Sequence, residues 1–92
     1  MIQSIRHRGL RRLYERDDRS QVNQNHIEKI EVILADLDAA RTIGHMSRPG
    51  YRLHQLSGNL KGFHAVIVSG NWRIIFRFKK GDVFDVDLVD NH

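Results

Sequence analysis

Hydrophobic residues recur at helical spacing in two stretches of the first half of the chain. Leu10, Leu13 and Tyr14 share one face of a short helix predicted over residues 7–16. A longer helix is predicted from a stripe at steps of three and four, which consists of Ile27, Ile30, Leu34 and Leu37, with Ile33 beside it. Asn25, followed three residues later by Glu28, predicts a capping box at its start, and Gly44 is its predicted end.

The last third of the chain alternates hydrophobic and polar residues, which predicts an antiparallel sheet. Strands are expected over residues 63–68, 72–79 and 84–88, with shorter ones at residues 1–6 and 51–53. A three-residue loop, Lys80 to Asp82, sets the predicted register of the last hairpin. That register pairs Phe78 with Phe84, Phe76 with Val86, Ile74 with Leu88 and Arg77 with Asp85. The order of elements predicts an α+β fold in a single domain over residues 1–92.

The composition excludes several classes of protein. At 92 residues the chain is expected to form one small core. The absence of cysteine excludes disulfides, cysteine-based zinc sites and a cysteine nucleophile. No apolar run reaches the roughly 20 residues that a membrane span needs, and the N-terminus does not resemble a signal peptide. We therefore expect a cytoplasmic protein that has no membrane partner.

Charge is distributed unevenly along the chain. Residues 39–81 contain no Asp or Glu but eight Lys and Arg, so this segment should project a positive field that favours nucleic acids or another polyanion. The alternative is a solvated basic surface that the acidic C-terminus neutralises. Arg48 and Arg52, which lie inside the segment, are candidate RNA contacts.

The C-terminus and one sheet arginine carry candidate catalytic chemistry. On a regular strand Asp90 and His92 point to the same face about 7 Å apart, where a carboxylate and an imidazole can act in proton transfer; the alternative is a frayed end. Arg73 can brace the extra negative charge of a pentavalent phosphate, or instead pair with Asp87. The simple register places Arg73 on the face opposite Asp90 and His92.

Other polar and aromatic residues are candidates for contact with RNA. His54 and Trp72 can stack on a base, and Asn71 and Asn91 carry amides that can read a base edge. Trp72 can equally belong to the core, and Asn71 can serve only as a turn residue. No two histidines lie at metal-binding spacing, so neither a metal site nor a cofactor is expected.

Four segments together resemble the HigB toxins, plasmid-maintenance killer proteins of the RelE superfamily. They are MIQSIRHRGL at residues 1–10, YRLHQLSG at residues 51–58, GNWRIIF at residues 70–76, and GD at residues 81–82 with DNH at the end. The resemblance spans essentially the whole chain, with the segments in the same order. It implies a microbial RNase fold, in which two N-terminal helices pack on a curved antiparallel sheet.

The same resemblance implies a ribosome-dependent endoribonuclease that cuts mRNA in the A site without a metal. It implies a HigA-like helix-turn-helix antitoxin as partner, with promoter DNA bound only through that antitoxin. By position, Arg73, Asp90 and His92 fall on active-site residues, with His54 close by and Asn71 contacting a codon base.

Two positions depart from the family pattern. Members often have Lys where this chain has Ser57 and Tyr where it has Asn91, both at RNA-binding positions. These departures leave open a non-catalytic alternative, a basic nucleic-acid-binding or antitoxin-binding regulatory homologue.

Overall fold

The computed structural model describes residues 1–90 and contains two helices on one face of a sheet. Helix α1 spans Arg8–Arg16 and α2 spans Ile27–Ala39. Single 3₁₀ turns lie at Ile43–Met46 and Gly58–Leu60. The strands are β1 (His54–Gln55), β2 (His64–Ser69), β3 (Trp72–Lys79) and β4 (Asp82–Asp90), all antiparallel and adjacent in chain order. The predicted α+β class is confirmed.

The main core lies between the helices and one face of the sheet. The helical stripes predicted from the sequence are buried there, including Leu10, Leu13, Ile30 and Leu37. The sheet contributes Val66, Val68, Ile74, Phe76, Val83 and Val86 to the same cluster. Burial of this apolar surface is the main stabilising contribution to the fold.

The ends of α2 differ from the prediction. The predicted capping box is absent, because the Asn25 amide donates to Oδ1 of Asn23 at 2.9 Å and the helix begins later, at Ile27. His26 occupies the N-cap position without a side-chain hydrogen bond. The helix ends at Ala39 and not at Gly44, which lies in the following 3₁₀ turn.

The register of the last hairpin is correct only far from its turn. Ile74 lies opposite Leu88 as predicted, but near the turn Phe78 lies opposite Val83 and Arg77 opposite Phe84. The predicted cross-strand pairs Phe78 with Phe84 and Arg77 with Asp85 are therefore wrong in register, although Nε of Arg77 and Oδ2 of Asp85 form an ion pair at 3.5 Å. Phe76 and Val86 both face the main core, as predicted. The reason for the shift in register is a β-bulge at Asp85, which has a φ of 55°. The extra residue lets both Val83 and Val86 face the core.

The N-terminal segment pairs with the outer edge of β4. Ile2 and Ile5 form parallel bridges with Val83 and Val86, and the Ser4 hydroxyl accepts a 2.8 Å hydrogen bond from the Asp85 amide. The expected strand over residues 51–53 is instead β1, a two-residue strand that begins at His54. Within residues 1–90, neither helix has the length and apolar character that a membrane span requires.

Candidate active site

A cavity of about 380 Å³ opens on the sheet face that the helices leave uncovered. It lies where β3 begins and β4 ends, and segment 56–60 forms its outer wall. Its lining residues are Leu56, Ser57, Leu60, Ala65, Arg73, Ile75, Val89 and Asp90. The structure thus brings together three of the predicted site residues: Arg73, Asp90 and Ser57.

The apolar wall of this cavity is a second, smaller hydrophobic cluster. Phe63, Ala65 and Ile75 are buried in it, and Leu56 and Val89 pack against them. The Leu56 amide donates to the Phe63 carbonyl oxygen at 2.9 Å, which closes the loop over the sheet. Leu56 and Leu60 were not among the predicted site residues. The sequence feature that could have indicated them is a pair of leucines four residues apart in an otherwise polar, glycine-containing loop.

Arg73 is held at the mouth of the cavity by backbone carbonyl groups. Its Nη1 donates to the carbonyl oxygens of Gly70 at 2.7 Å and Trp72 at 3.2 Å. Its Nε is the one buried side-chain nitrogen or oxygen in residues 1–90 without a hydrogen-bond partner. A buried donor without a partner is costly, and the guanidinium of Arg73, which lines the cavity, is suited to an anionic ligand there.

The alternative ion pair between Arg73 and Asp87 is not formed. Within residues 1–90, no carboxylate lies within ion-pair distance of Arg73, and the Asp87 carboxylate instead accepts a hydrogen bond from the Leu88 amide at 2.9 Å. The register places Arg73 opposite Val89 and Asp87 opposite Ile75. The guanidinium charge is therefore not neutralised by a described carboxylate.

Asp90 borders the same cavity although it pairs with Trp72 rather than with Arg73. Strand alternation had placed Arg73 and Asp90 on opposite faces. Both nevertheless line the cavity, which lies where β3 begins and β4 ends. Asn91 and His92 lie outside the described residues, so the predicted pairing of Asp90 with His92 stays a prediction.

His54 shares the sheet face of Arg73 but does not line the cavity. It pairs with Ala65, which lies on that face. Two strand spacings across the sheet and two residues along it separate the Cα atoms of His54 and Arg73 by roughly 12 Å. The Nδ1 of His54 lies 2.9 Å from the Arg52 carbonyl oxygen, so its exposed imidazole is oriented by the backbone.

The remaining candidate RNA contacts within residues 1–90 do not line the cavity. Arg48 pairs with Asp36 of α2, with 3.2 Å between Nε and Oδ2. Arg52 is exposed and adopts a positive φ of 49°. Asn71 lies in the turn between β2 and β3, beside Trp72, whose half-buried ring packs against the core.

A neighbouring hollow of about 400 Å³ shares Leu56 and Ser57 with the cavity and adds Lys61 to its rim. Lys61 was not among the predicted site residues. The two adjacent hollows thus have one basic residue each, Arg73 and Lys61, on their linings. Within residues 1–90, no three His, Asp or Glu side chains are close enough together to hold a metal ion.

Comparison with known proteins identifies relatives over the full chain. Residues 3–92 match the family model described as the RelE-like toxin HigB of type II toxin-antitoxin systems. The Endoribonuclease HigB of Proteus vulgaris is 37% identical over 92 residues, 100% of both chains. Toxin HigB-1 of Vibrio cholerae is 32% identical over 87 residues, 88% of this chain and 87% of that protein. The structure of YafQ from E. coli shares the fold, with a TM-score of 0.58 at 14% identity, over 98% of this chain and 91% of YafQ.

Proposed function

Because this chain belongs to the HigB-like family of RelE-like toxins from type II toxin-antitoxin systems, we propose that it is an endoribonuclease that cuts mRNA in the ribosomal A site and thereby inhibits translation. The name of the Proteus vulgaris relative supports the ribonuclease activity. The acid-free, basic segment over residues 39–81 supports a nucleic-acid substrate.

The observation that carries this proposal is the position of Arg73. Its Nε is buried without a partner, and Asp90 and Ser57 border the same cavity. A phosphodiester in the cavity would accept a hydrogen bond from the Arg73 guanidinium. It would also meet a guanidinium whose charge no described carboxylate neutralises. Preorganised donors of this kind stabilise charge that develops in a transition state.

The proposed reaction uses a nucleophile that RNA itself supplies. The 2′-oxygen attacks the adjacent phosphorus, its bond to phosphorus forms, and the bond to the 5′-oxygen breaks, which leaves a 2′,3′-cyclic phosphate and a 5′-hydroxyl. One proton leaves the 2′-hydroxyl and one reaches the departing oxygen. We assign this proton transfer to His92, oriented by Asp90, with His54 beside the substrate path. The step requires no cofactor, because positioning and charge stabilisation supply the catalysis.

The proposed partners follow from membership of a toxin-antitoxin family. An antitoxin is implied by the family, and we propose a HigA-like protein with a helix-turn-helix domain that brings promoter DNA to the complex. The ribosome is proposed to hold the mRNA in the geometry that in-line attack requires. Codon contacts are proposed for Asn71 and Asn91, and backbone contacts for Ser57, Arg48 and Arg52.

The test is single-turnover cleavage of mRNA bound to ribosomes, compared with the same RNA free in solution. Arg73→Ala should slow cleavage by about 10²–10³-fold, as loss of one transition-state donor does. Arg73→Lys should recover only part of the rate, because an ammonium lacks the planar fork of the guanidinium. Induction in bacteria should cause translation arrest that co-expressed antitoxin relieves.

The matched control is Arg77→Ala, on the same strand and face four residues away. Arg77 pairs with Asp85 at 3.5 Å and covers the Phe63 ring, outside the cavity. The Arg77→Ala variant should cleave ribosome-bound mRNA at nearly the wild-type rate. Equal rates on free and ribosome-bound RNA would contradict ribosome dependence. Wild-type protein that binds ribosomes and antitoxin but never cuts RNA would favour the regulatory alternative.

A further inference from the structure

Helix α1 carries a row of arginines that the proposed cleavage site does not use. Arg8, Arg12 and Arg16 follow one another at four-residue intervals in α1, about 6 Å apart along the helix axis, with Arg11 beside them. Together with Glu15 these arginines surround a surface hollow of about 340 Å³. Four arginines therefore lie on this helix beside two carboxylates, those of Glu15 and Asp18.

Few carboxylates neutralise this row. Arg12 reaches Asp18 at 3.9 Å, whereas Arg8, Arg11 and Arg16 form no ion pair within residues 1–90. Like charges at helical spacing repel and destabilise the isolated helix. A polyanion bound along the row would remove that repulsion.

A small cavity lies beside the beginning of α1 and is lined by flat rings. His7, His26 and Trp72 border it, together with the side chain of Leu88 and residues 21–23. Its volume is about 160 Å³, and the rings of His26 and Trp72 lie 6.1 Å apart at an angle of 58°. Rings set at an angle around an open cavity provide stacking surfaces for a third ring.

Polar groups at the same cavity suit the edge of a nucleobase. Gln21 and Asn23 each carry a side-chain amide, and Asn23 uses its Oδ1 for the Asn25 amide at 2.9 Å, which leaves its NH₂ as a donor. The Nδ1 of His7 accepts a hydrogen bond from the Leu10 amide at 3.1 Å, so a neutral His7 carries its proton on Nε2. Amides and imidazoles beside stacking rings are the groups that recognise unpaired bases.

We propose that this cavity and the arginines of α1 form a second RNA-binding surface, which takes one unpaired nucleotide of a structured RNA. The base enters the cavity against Trp72 and His26, and the adjoining phosphates follow the row from Arg8 toward Arg16. An acidic peptide would satisfy the arginines equally well but would make no use of the rings and amides. RNA accounts for both features, so it is the partner that the observations favour.

The test uses a hairpin RNA that is 2′-O-methylated throughout and cannot be cleaved, with and without one unpaired nucleotide. Trp72 is the sole tryptophan of the chain, so its fluorescence reports occupancy of the cavity. The bulged hairpin should change the Trp72 emission and bind about tenfold more tightly than the paired hairpin, because stacking of one base contributes on this scale. His26→Leu should abolish this preference and His26→Phe should retain it.

The arginines are tested by salt dependence. Arg8→Gln combined with Arg11→Gln should weaken both hairpins and reduce the slope of log K against log salt by about 0.9 per lost phosphate contact. Lys79→Gln with Lys80→Gln removes the same charge at the tip of the β3–β4 hairpin and should leave the slope unchanged. Arg73→Ala removes a proposed phosphate contact of the cleavage site, so it should weaken both hairpins by the same factor and keep the preference for the bulged one, which separates this surface from that site.

Three results would overturn the inference. The first is equal affinity of the wild type for the two hairpins. The second is a slope of log K against log salt that the arginine substitutions leave unchanged. The third is a change of Trp72 emission with poly-glutamate that is lost in His26→Leu, as the change with the bulged hairpin should be. Circular dichroism and thermal melting of each variant establish that it is folded before binding is compared.

Discussion

Removal of the Tyr51 hydroxyl should destabilise the protein and loosen the chain that leads to the candidate site. The Tyr51 hydroxyl donates a 2.6 Å hydrogen bond to Oδ2 of Asp36, and Tyr51 is 6% exposed. Its carbonyl oxygen accepts from the Ile67 amide at 2.8 Å. Tyr51 thereby connects α2 to β2 three residues before His54. Burial, followed by the bond to Asp36, raises the pKa of the Tyr51 phenol.

The magnitude follows from the groups that lose their partner. A hydrogen bond to a charged group contributes about 1.5–3 kcal/mol. Asp36 retains Arg48 at 3.2 Å, so Tyr51→Phe leaves no isolated carboxylate, and a loss of about 2 kcal/mol is expected. For 92 residues the entropy of unfolding is about 0.19 kcal/mol/K, so Tm should fall by about 10 °C.

Tyr14→Phe is the matched control for the effect of burial. The Tyr14 hydroxyl also donates to an aspartate of α2, Oδ1 of Asp38, at 2.8 Å, but Tyr14 is 37% exposed. Water can replace its lost hydrogen bond, so a change below about 1 kcal/mol is expected. Urea unfolding and thermal melting of the two variants measure the difference. Equal destabilisation would refute the argument that burial strengthens the Tyr51 bond.

Three further perturbations test other parts of the molecule. Gly9→Ala should destabilise the protein by about 2 kcal/mol or more despite the better helix propensity of Ala, because the added Cβ would lie 2.5 Å from the Gln21 carbonyl oxygen. Gly44→Ala is the control: its added Cβ has its nearest atom at 3.7 Å and should change the midpoint of urea unfolding little. Deletion of His92 should abolish cleavage while ribosome co-sedimentation and antitoxin binding persist; unchanged cleavage would assign no catalytic role to this residue. Burial lowers the pKa of His64 below its usual 6.5, so its contribution to stability should be complete above pH 6.5 and decline as the pH falls below it. His64→Gln should remove that part of the pH dependence in urea titrations at each pH.

Local hydrophobic patterns predicted the elements of this fold well. The stripes of α1 and α2 depend only on residues three and four apart, and the alternation in β3 depends on residues two apart, so both can be read from sequence. The predicted start of α2 at Asn25 was wrong because the side chain of Asn23 accepts a hydrogen bond from the Asn25 amide in a local turn. The predicted register of the last hairpin was wrong near its turn. A bulge at Asp85 places the apolar residues of β4 toward the core as well as the predicted longer loop would.

The candidate site was predicted only in part, since it depends on how distant segments meet. Arg73 and Asp90 were recognised as individual candidates, but alternation placed them on opposite faces. Their common cavity exists because the segment that carries Leu56 and Leu60 folds back over the sheet end. The position of this segment depends on its packing in the cluster that contains Ile75 and Val89, and no local pattern in the loop encodes that contact.

The pairing of the first six residues with β4 has a consequence for solubility. The nine residues of β4 form an outer strand of the sheet, whereas the opposite outer strand, β1, has only two. Segment 1–6 occupies the hydrogen-bonding groups of β4 at Val83 and Val86, with N···O distances of 2.7–3.1 Å. An uncovered strand of this length would be a template for pairing with another copy of the chain and for aggregation. The N-terminal residues therefore cover the strand edge to which a second copy of this small, basic protein could otherwise add.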